Sequence, residues 1–125
     1  MNLSILEIIE IIIKLVVGLS ILNVWLINRN KATPWRAQNA TSMREEFTVY
    51  GLSKSMMVIT GTLKCFCAVL LMISIFYPSV EWVGAAGIAL LMAVAISMHI
   101  KVNDPAKKSI PAAVFLILSL LVIFI

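Results

Sequence analysis

Ionisable side chains inside otherwise apolar stretches are the groups in this sequence most able to do chemistry, because a charge at the centre of a bilayer costs at least about 2.5 kcal/mol on insertion scales. Glu7, Glu10 and Lys14 stand in the first such stretch and Lys64 in the second. At 100° per residue the first three fall within a sector of about 60° that continues through Gly18, Ile21, Trp25 and Asn28. That face must turn away from lipid. Glu10 and Lys14, four residues apart, can neutralise one another. Antiparallel packing of the first two apolar helices would bring Lys64 to a similar depth. The expectation is one polar interior shared by Glu7, Glu10, Lys14 and Lys64, able to hold a ligand, a proton or a quinone headgroup, or else a structural ion-pair network with Lys64 reaching toward the interface.

Cys67 lies on the Lys64 face with Thr60 and Leu71, so its thiol is a candidate for the same interior. Cys65 and Cys67 point about 200° apart on a helix and cannot form an ordinary disulfide there. The sequence has two cysteines and one histidine. These lack the Cys-x-x-Cys or His-Glu-x-x-His spacing that signals a metal site. His99, in Met98-His99-Ile100-Lys101, closes the third apolar stretch as an interfacial cap or a hydrogen-bond partner of the first loop, ahead of a ligand contact. A lone histidine cannot supply both axial ligands of a haem.

The elements that position these residues are membrane helices. Of the 125 residues 62% are apolar and 13% charged, and the mean hydropathy is +1.05. That balance excludes a soluble enzyme, a disordered chain and a nucleic-acid-binding domain, despite a net charge of +4 and a pI of 9.3. About 20 residues cross a hydrocarbon core, and four stretches are candidates: residues 3–28, 56–77, 79–100 and 110–125. The fourth is short. The expected architecture is a single all-α integral membrane domain, a four-helix bundle. Glu7 and Glu10 precede any basic residue, so the first stretch reads as a helix of the protein rather than a signal peptide.

Two connections carry most of the basic residues, 29–55 and 101–109. The positive-inside rule places both in the cytoplasm and both termini outside, in the plasma (inner) membrane. In the longer one, Ser42-Met43-Arg44-Glu45 has capping-box spacing, and Met43, Phe47 and Tyr50 recur at i, i+4, i+7 before Gly51. The spacing predicts a short amphipathic helix over 42–50, on the membrane surface or under the bundle. Asp104-Pro105 suits a cap and first-turn pair, and Pro111 the first turn of the last helix. Ala85, Ala89, Ala93 and Ser97, with Gly84 and Gly87, give the third stretch a small-residue face. Its partner is another helix, a second copy, or another membrane protein; lipid is the surrounding partner and nucleic acid is not one.

Several runs together resemble the DoxX and DoxX-like family: Glu46-Phe47-Thr48-Val49-Tyr50-Gly51-Leu52, Gly61-Thr62-Leu63-Lys64, Pro78, and Leu91-Met92 through His99-Ile100-Lys101-Val102-Asn103-Asp104-Pro105 with Ile110-Pro111-Ala112. The resemblance covers about two thirds of the chain, from Arg44 onward, and rests on order and spacing. It implies a small four-helix membrane protein, with Lys64 and His99 as family-like polar residues. Some members are associated with membrane oxidoreductase complexes and quinone-linked sulfur oxidation. Ser53 stands where the family usually has proline. Three functions follow as expectations: an accessory or scaffold subunit binding other membrane proteins or itself, a quinone-linked redox subunit, and a small proton-coupled transporter, the last disfavoured by the long first loop.

Overall fold

The structure, a computed structural model, describes residues 3–125. Helix α1, Ile5–Leu22, starts where the Ser4 hydroxyl accepts from the Glu7 amide, and it continues through a π-helical turn, Asn23–Ile27. That turn is closed by a backbone bond from the Asn28 amide to the Asn23 carbonyl and by the two asparagine side chains bonded to each other. Helix α2, Met43–Val49, begins at Ser42, whose hydroxyl accepts from the Glu45 amide, and ends at Gly51 in the left-handed region (φ 79°), where the missing Cβ removes the steric cost. Helix α3, Lys54–Ile73, is capped by Ser53, so the serine at the position usual for proline supplies the cap bond that proline lacks. Helix α4, Glu81–Lys101, follows a 3-10 turn opened by Pro78. Helix α5, Ile110–Phe124, follows a second 3-10 turn, Ala106–Ser109, with Pro111 in its first turn.

The stretches Lys54–Ile73, Pro78–Lys101 and Ala106–Phe124 are each long and apolar enough to cross a membrane. α1 packs beside them on α3 and α5, while α4 packs on α3 and α5, which closes a four-membered ring. Large apolar side chains such as Ile12, Leu19, Phe66, Leu90 and Ile117 line its outside, the inverse of a water-soluble fold and what a lipid solvent demands. Phe76, Tyr77 and Trp82 cluster, exposed, at the α3–α4 turn, as aromatic residues do at a membrane interface.

The core follows the periodicities of the sequence. α1 buries Ile13, Val17, Gly18, Ile21 and Trp25. Gly84 of α4 sits so close to α3 that a Cβ there would lie 2.8 Å from the Leu71 backbone nitrogen, and one at Gly87 would lie 2.5 Å from the Cys67 Sγ. The small residues Gly84 and Gly87 therefore serve contact within the chain. Ala85 and Ala89 are buried, whereas Ala93 and Ser97 face outward. The amphipathic stripe of α2 is buried as well: Met43, Phe47 and Tyr50 are packed under the bundle rather than laid on a surface.

The two long connections meet at the same end, referred to below as the loop end. The Gln38 amide donates to Asp104 Oδ1 (2.9 Å), and Lys108 Nζ donates to the carbonyls of Arg36 and Gln38. Asp104 therefore does not act as a helix cap. Glu45 also differs from its expected role: it reaches the amide and hydroxyl of Thr41 (2.6 Å each) rather than the Ser42 amide.

Candidate functional site

The six candidate residues are distributed over four places. Glu7 is exposed in the first turn of α1. Lys14 is buried at the end of the bundle away from the loops, with Glu81 Oε1 of α4 at 2.7 Å, Glu10 Oε1 at 3.4 Å and the Ser74 carbonyl at 3.5 Å. Cys67 lies in the α3–α4 contact, against Gly87. Lys64 and His99 come together apart from these, as linings of a cavity of about 280 Å³ at the loop end.

The physical reason is helix register. Lys14 meets Ser74, Gly18 meets Ala68 and Met72, and Trp25 meets Gly61, so α3 begins well beyond the point where α1 ends. Lys64 therefore stands opposite the Trp25 turn. At 1.5 Å per residue that puts it about 15 Å deeper toward the loop end than Lys14. The residue that meets Lys14 instead is Glu81, in the first turn of α4.

The cavity is roofed by α2 and its preceding loop and walled by α1, α3, α4 and α5. Apolar side chains dominate it, among them Ile21, Leu91, Met92 and Phe115. An edge-to-face aromatic series runs along one side: Trp25 to Phe47 (5.9 Å between centroids), Phe47 to Tyr50 (5.9 Å) and Tyr50 to His99 (5.8 Å). Lys64 Nζ stands over the Trp25 ring, 5.3 Å from its centroid, a cation–π contact. The salt bridges among the described residues are Lys14–Glu10, Lys14–Glu81, Arg36–Glu46 and His99–Asp104, and none of them takes up Lys64. A half-buried ammonium in an apolar cavity with a π-face as its neighbour is free to receive an oxygen acceptor from a ligand.

The polar rim is a hydrogen-bonded chain that the sequence did not announce. Asp104 Oδ2 lies 2.7 Å from His99 Nδ1; a carboxylate only accepts, so Nδ1 carries the proton. His99 Nε2 then faces the Tyr50 hydroxyl at 3.4 Å, and that hydroxyl donates to Glu46 Oε2 at 3.1 Å. Glu46 also accepts from the Ala37 amide (2.8 Å) and pairs with Arg36 Nη1 (3.3 Å). Arg36, buried, donates its remaining nitrogens to the carbonyls of Lys31, Asn28 and Arg29, and so satisfies the backbone that leaves α1. Burial, with the negative charges of Glu46 and Asp104, pushes the Tyr50 hydroxyl above the ordinary phenol range, so it stays a donor.

Comparisons with known proteins come to one result. The profile of the DoxX-like family matches residues 33–122, from the loop after α1 almost to the end of α5, and so includes Lys64, His99 and the whole hydrogen-bonded rim except the carbonyls of Asn28, Arg29 and Lys31. Neither curated proteins nor solved structures give a match to the chain. With most of its length matched, including every charged side chain that lines the loop-end cavity, the chain belongs to the DoxX-like family.

Proposed function

We propose that this DoxX-like membrane protein is an accessory subunit that holds the headgroup of an amphipathic carbonyl ligand, a quinone, in its loop-end cavity, and that it serves a membrane oxidoreductase which supplies the electrons. The observation that carries this reading is the unpaired Lys64 ammonium in an apolar, aromatic-sided cavity of about 280 Å³. That volume is near the lower end of the range for ligand pockets, roughly 300 Å³, and suits a ring with its substituents rather than a whole lipid. Lys64, a donor with no acceptor side chain bonded to it, suits one carbonyl oxygen of a quinone ring. An isoprenoid tail finds apolar walls at Leu91, Met92 and Phe115. The family resemblance, with its quinone-linked members, points the same way.

The test is thermal unfolding of the purified protein in detergent with a short-tailed benzoquinone. Saturation at about 100 times Kd raises stability by about 2.7 kcal/mol, which is readily seen in the melting temperature. Lys64→Met should fold and lose that response. A wild-type melting temperature indifferent to benzoquinone and naphthoquinone would overturn the reading.

A scaffold role through lateral contacts is the second reading, and it is favoured by the outward-facing Ala93 and Ser97 on α4, a spacing at which another helix can approach closely. We also place the loop end in the cytoplasm of a cell with a plasma (inner) membrane, because it holds most of the lysines and arginines. With Cys65 and Cys67 replaced by alanine, a cysteine at Lys107 should resist an impermeant thiol reagent in intact cells, and one at Ser79 should react. The opposite pattern would invert the topology.

A further inference from the structure

The seam between α3 and α4 is shut over one half of its length and opens onto the cavity over the other. In the half away from the loops, Gly84 and Gly87 bring α4 against Leu71 and Cys67 of α3. The two helices run antiparallel, so each step along α4 is a step back along α3. The positions that come opposite next, toward the loop end, are Leu91 with Lys64, then Val94 and Ala95 with Thr60. All five side chains line the loop-end cavity. Leu71 and Gly84 are buried where the seam is shut, whereas Thr60, Leu91 and Ala95 are half-buried and Val94 is 44% exposed. The cavity therefore reaches the outer surface between α3 and α4.

That surface lies at membrane depth. Lys64 stands ten residues into α3, about 15 Å from its loop-end start, and Thr60 about 9 Å, so the opening falls within the half of a roughly 30 Å hydrocarbon core nearest the loops. The water side is built differently. Gln38 is bonded to Asp104, Lys108 ties the Arg36 and Gln38 carbonyls together, and Arg36 is buried with its donors spread over three further carbonyls. A solute arriving through the loops has to part these bonds, while one arriving between Thr60 and Val94 parts only apolar contacts.

We propose that the gap between Thr60 of α3 and Val94–Ala95 of α4 is a lateral slot through which the apolar tail of the bound quinone runs out into the bilayer, so that the protein draws this ligand from the membrane phase. Lys64 stands at the inner end of the slot and holds a carbonyl oxygen of the headgroup. A tail in the slot exchanges lipid neighbours for Leu91, Val94 and Ala95, which are as apolar as lipid. The slot therefore selects by shape and reach more than by added affinity. The proposal rests on the reading that the cavity takes a quinone headgroup, and it adds the path of the tail and the phase from which the molecule comes.

The first measurement needs no quinone. The chain has three tryptophans, so Trp35→Phe/Trp82→Phe leaves Trp25, which lines the cavity and is 8% exposed, as the sole fluorophore. The full chain is reconstituted in phosphatidylcholine vesicles with or without bromine at mid-chain, a contact quencher. Bromolipid should quench Trp25, and Ala95→Phe, which fills the slot, should remove part of that quenching. Val94→Phe, at an exposed position that tolerates bulk, is the second variant. Quenching that is absent, or that both variants leave unchanged, overturns the slot, whether or not any quinone binds.

The second measurement compares benzoquinone with its decyl-substituted form in the same vesicles, with affinity expressed per lipid. Ala95→Phe should weaken the decyl compound about tenfold, the equivalent of about 1.4 kcal/mol of overpacking, and leave benzoquinone within about twofold. Val24→Phe adds the same bulk at the other exposed wall of the cavity, on α1, and should leave both affinities within that limit. Equal losses for the two quinones in Ala95→Phe, or a selective loss of the decyl compound in Val24→Phe alone, overturn the proposed path and leave the quinone reading standing. Slot-dependent quenching with no binding of either quinone supports the opening and overturns the quinone reading.

Discussion

Lys14→Met should be far less damaging than Glu81→Gln, although both remove the same 2.7 Å ion pair. Coulomb's law at an effective dielectric constant near 20 gives a gross attraction of about 6 kcal/mol for Lys14–Glu81 at 2.7 Å and about 5 kcal/mol for Lys14–Glu10 at 3.4 Å. Desolvation offsets most of each, so the measurable quantity is what a substitution leaves stranded. The Lys14 side chain is 5% exposed, while Glu10 and Glu81 are 23% and 28% exposed. Removing Glu81 leaves a buried ammonium with a longer partner and the Ser74 carbonyl, at a cost of about 3 kcal/mol, the lower end for breaking a buried pair. Removing the ammonium leaves two carboxylates that can reach water, and methionine fills the volume, so the cost is about 1 kcal/mol. Lys14→Met/Glu81→Gln should then fall well below the sum of the singles, with a coupling of about 2 kcal/mol. The assay is unfolding in mixed micelles with increasing dodecyl sulfate, followed by circular dichroism, for the four proteins of the cycle. Equal costs for the two single variants, or a coupling under about 0.5 kcal/mol, would show that Lys14 reaches water by a route that these distances do not contain.

Three further outcomes follow from local geometry. Gly84→Ala should destabilise the bundle by about 2 kcal/mol or more, because its Cβ meets the α3 backbone, whereas Gly87→Ala meets only the Cys67 thiol and should be rescued by Cys67→Ala; thermal unfolding in detergent distinguishes them. Phe47→Leu keeps an apolar side chain but loses two edge-to-face pairs, which should cost about 1–3 kcal/mol and appear as faster amide exchange over α2, with Phe47→Ala worse still. The bonds from Thr41 lower the Glu45 carboxyl below its ordinary value of 4.5, so their support for α2 is present above that pH and is lost as the pH falls through the lowered value. Exchange of α2 amides should accordingly accelerate in acid more in the unaltered protein than in Glu45→Gln, and identical pH profiles would refute the link.

Helix positions were legible in the sequence because lipid imposes a single rule on length and apolarity. The expected spans 56–77, 79–100 and 110–125 correspond to Lys54–Ile73, Glu81–Lys101 and Ile110–Phe124. The small helix over 42–50 was equally legible, since its cap, stripe and terminal glycine agree. What the sequence could not supply was depth. Whether Lys14 meets Lys64 or Glu81 depends on how far α3 slides past α1, a packing result with no linear signature. The rim was hidden for a related reason. Arg36, Glu46 and Asp104 lie in segments that read as topology signals and caps, and only the crossing of two loops brings them to Tyr50 and His99. The spacing of Glu46 and Tyr50, four apart on one helix, was the one available sign.

The wide turn at Asn23–Ile27 has a consequence for how this protein can change. Its closing bond spans five residues where an α-helix spans four, so the chain carries, in effect, one inserted residue at that point. Deleting one residue there would restore regular winding and leave the chain beyond it in place, because the wide turn already absorbs the extra residue, whereas the same deletion elsewhere in α1 would swing everything beyond it by about 100°. The carbonyls of Asn28 and Arg29 would keep Arg36, and only the side chains within the turn, Trp25 over Gly61 and Lys64 among them, would be re-aimed. A one-residue length change in this short stretch therefore acts as a dial on the aromatic wall beside the ammonium while the rim stays as it is. Substitutions elsewhere in α1 leave that dial untouched.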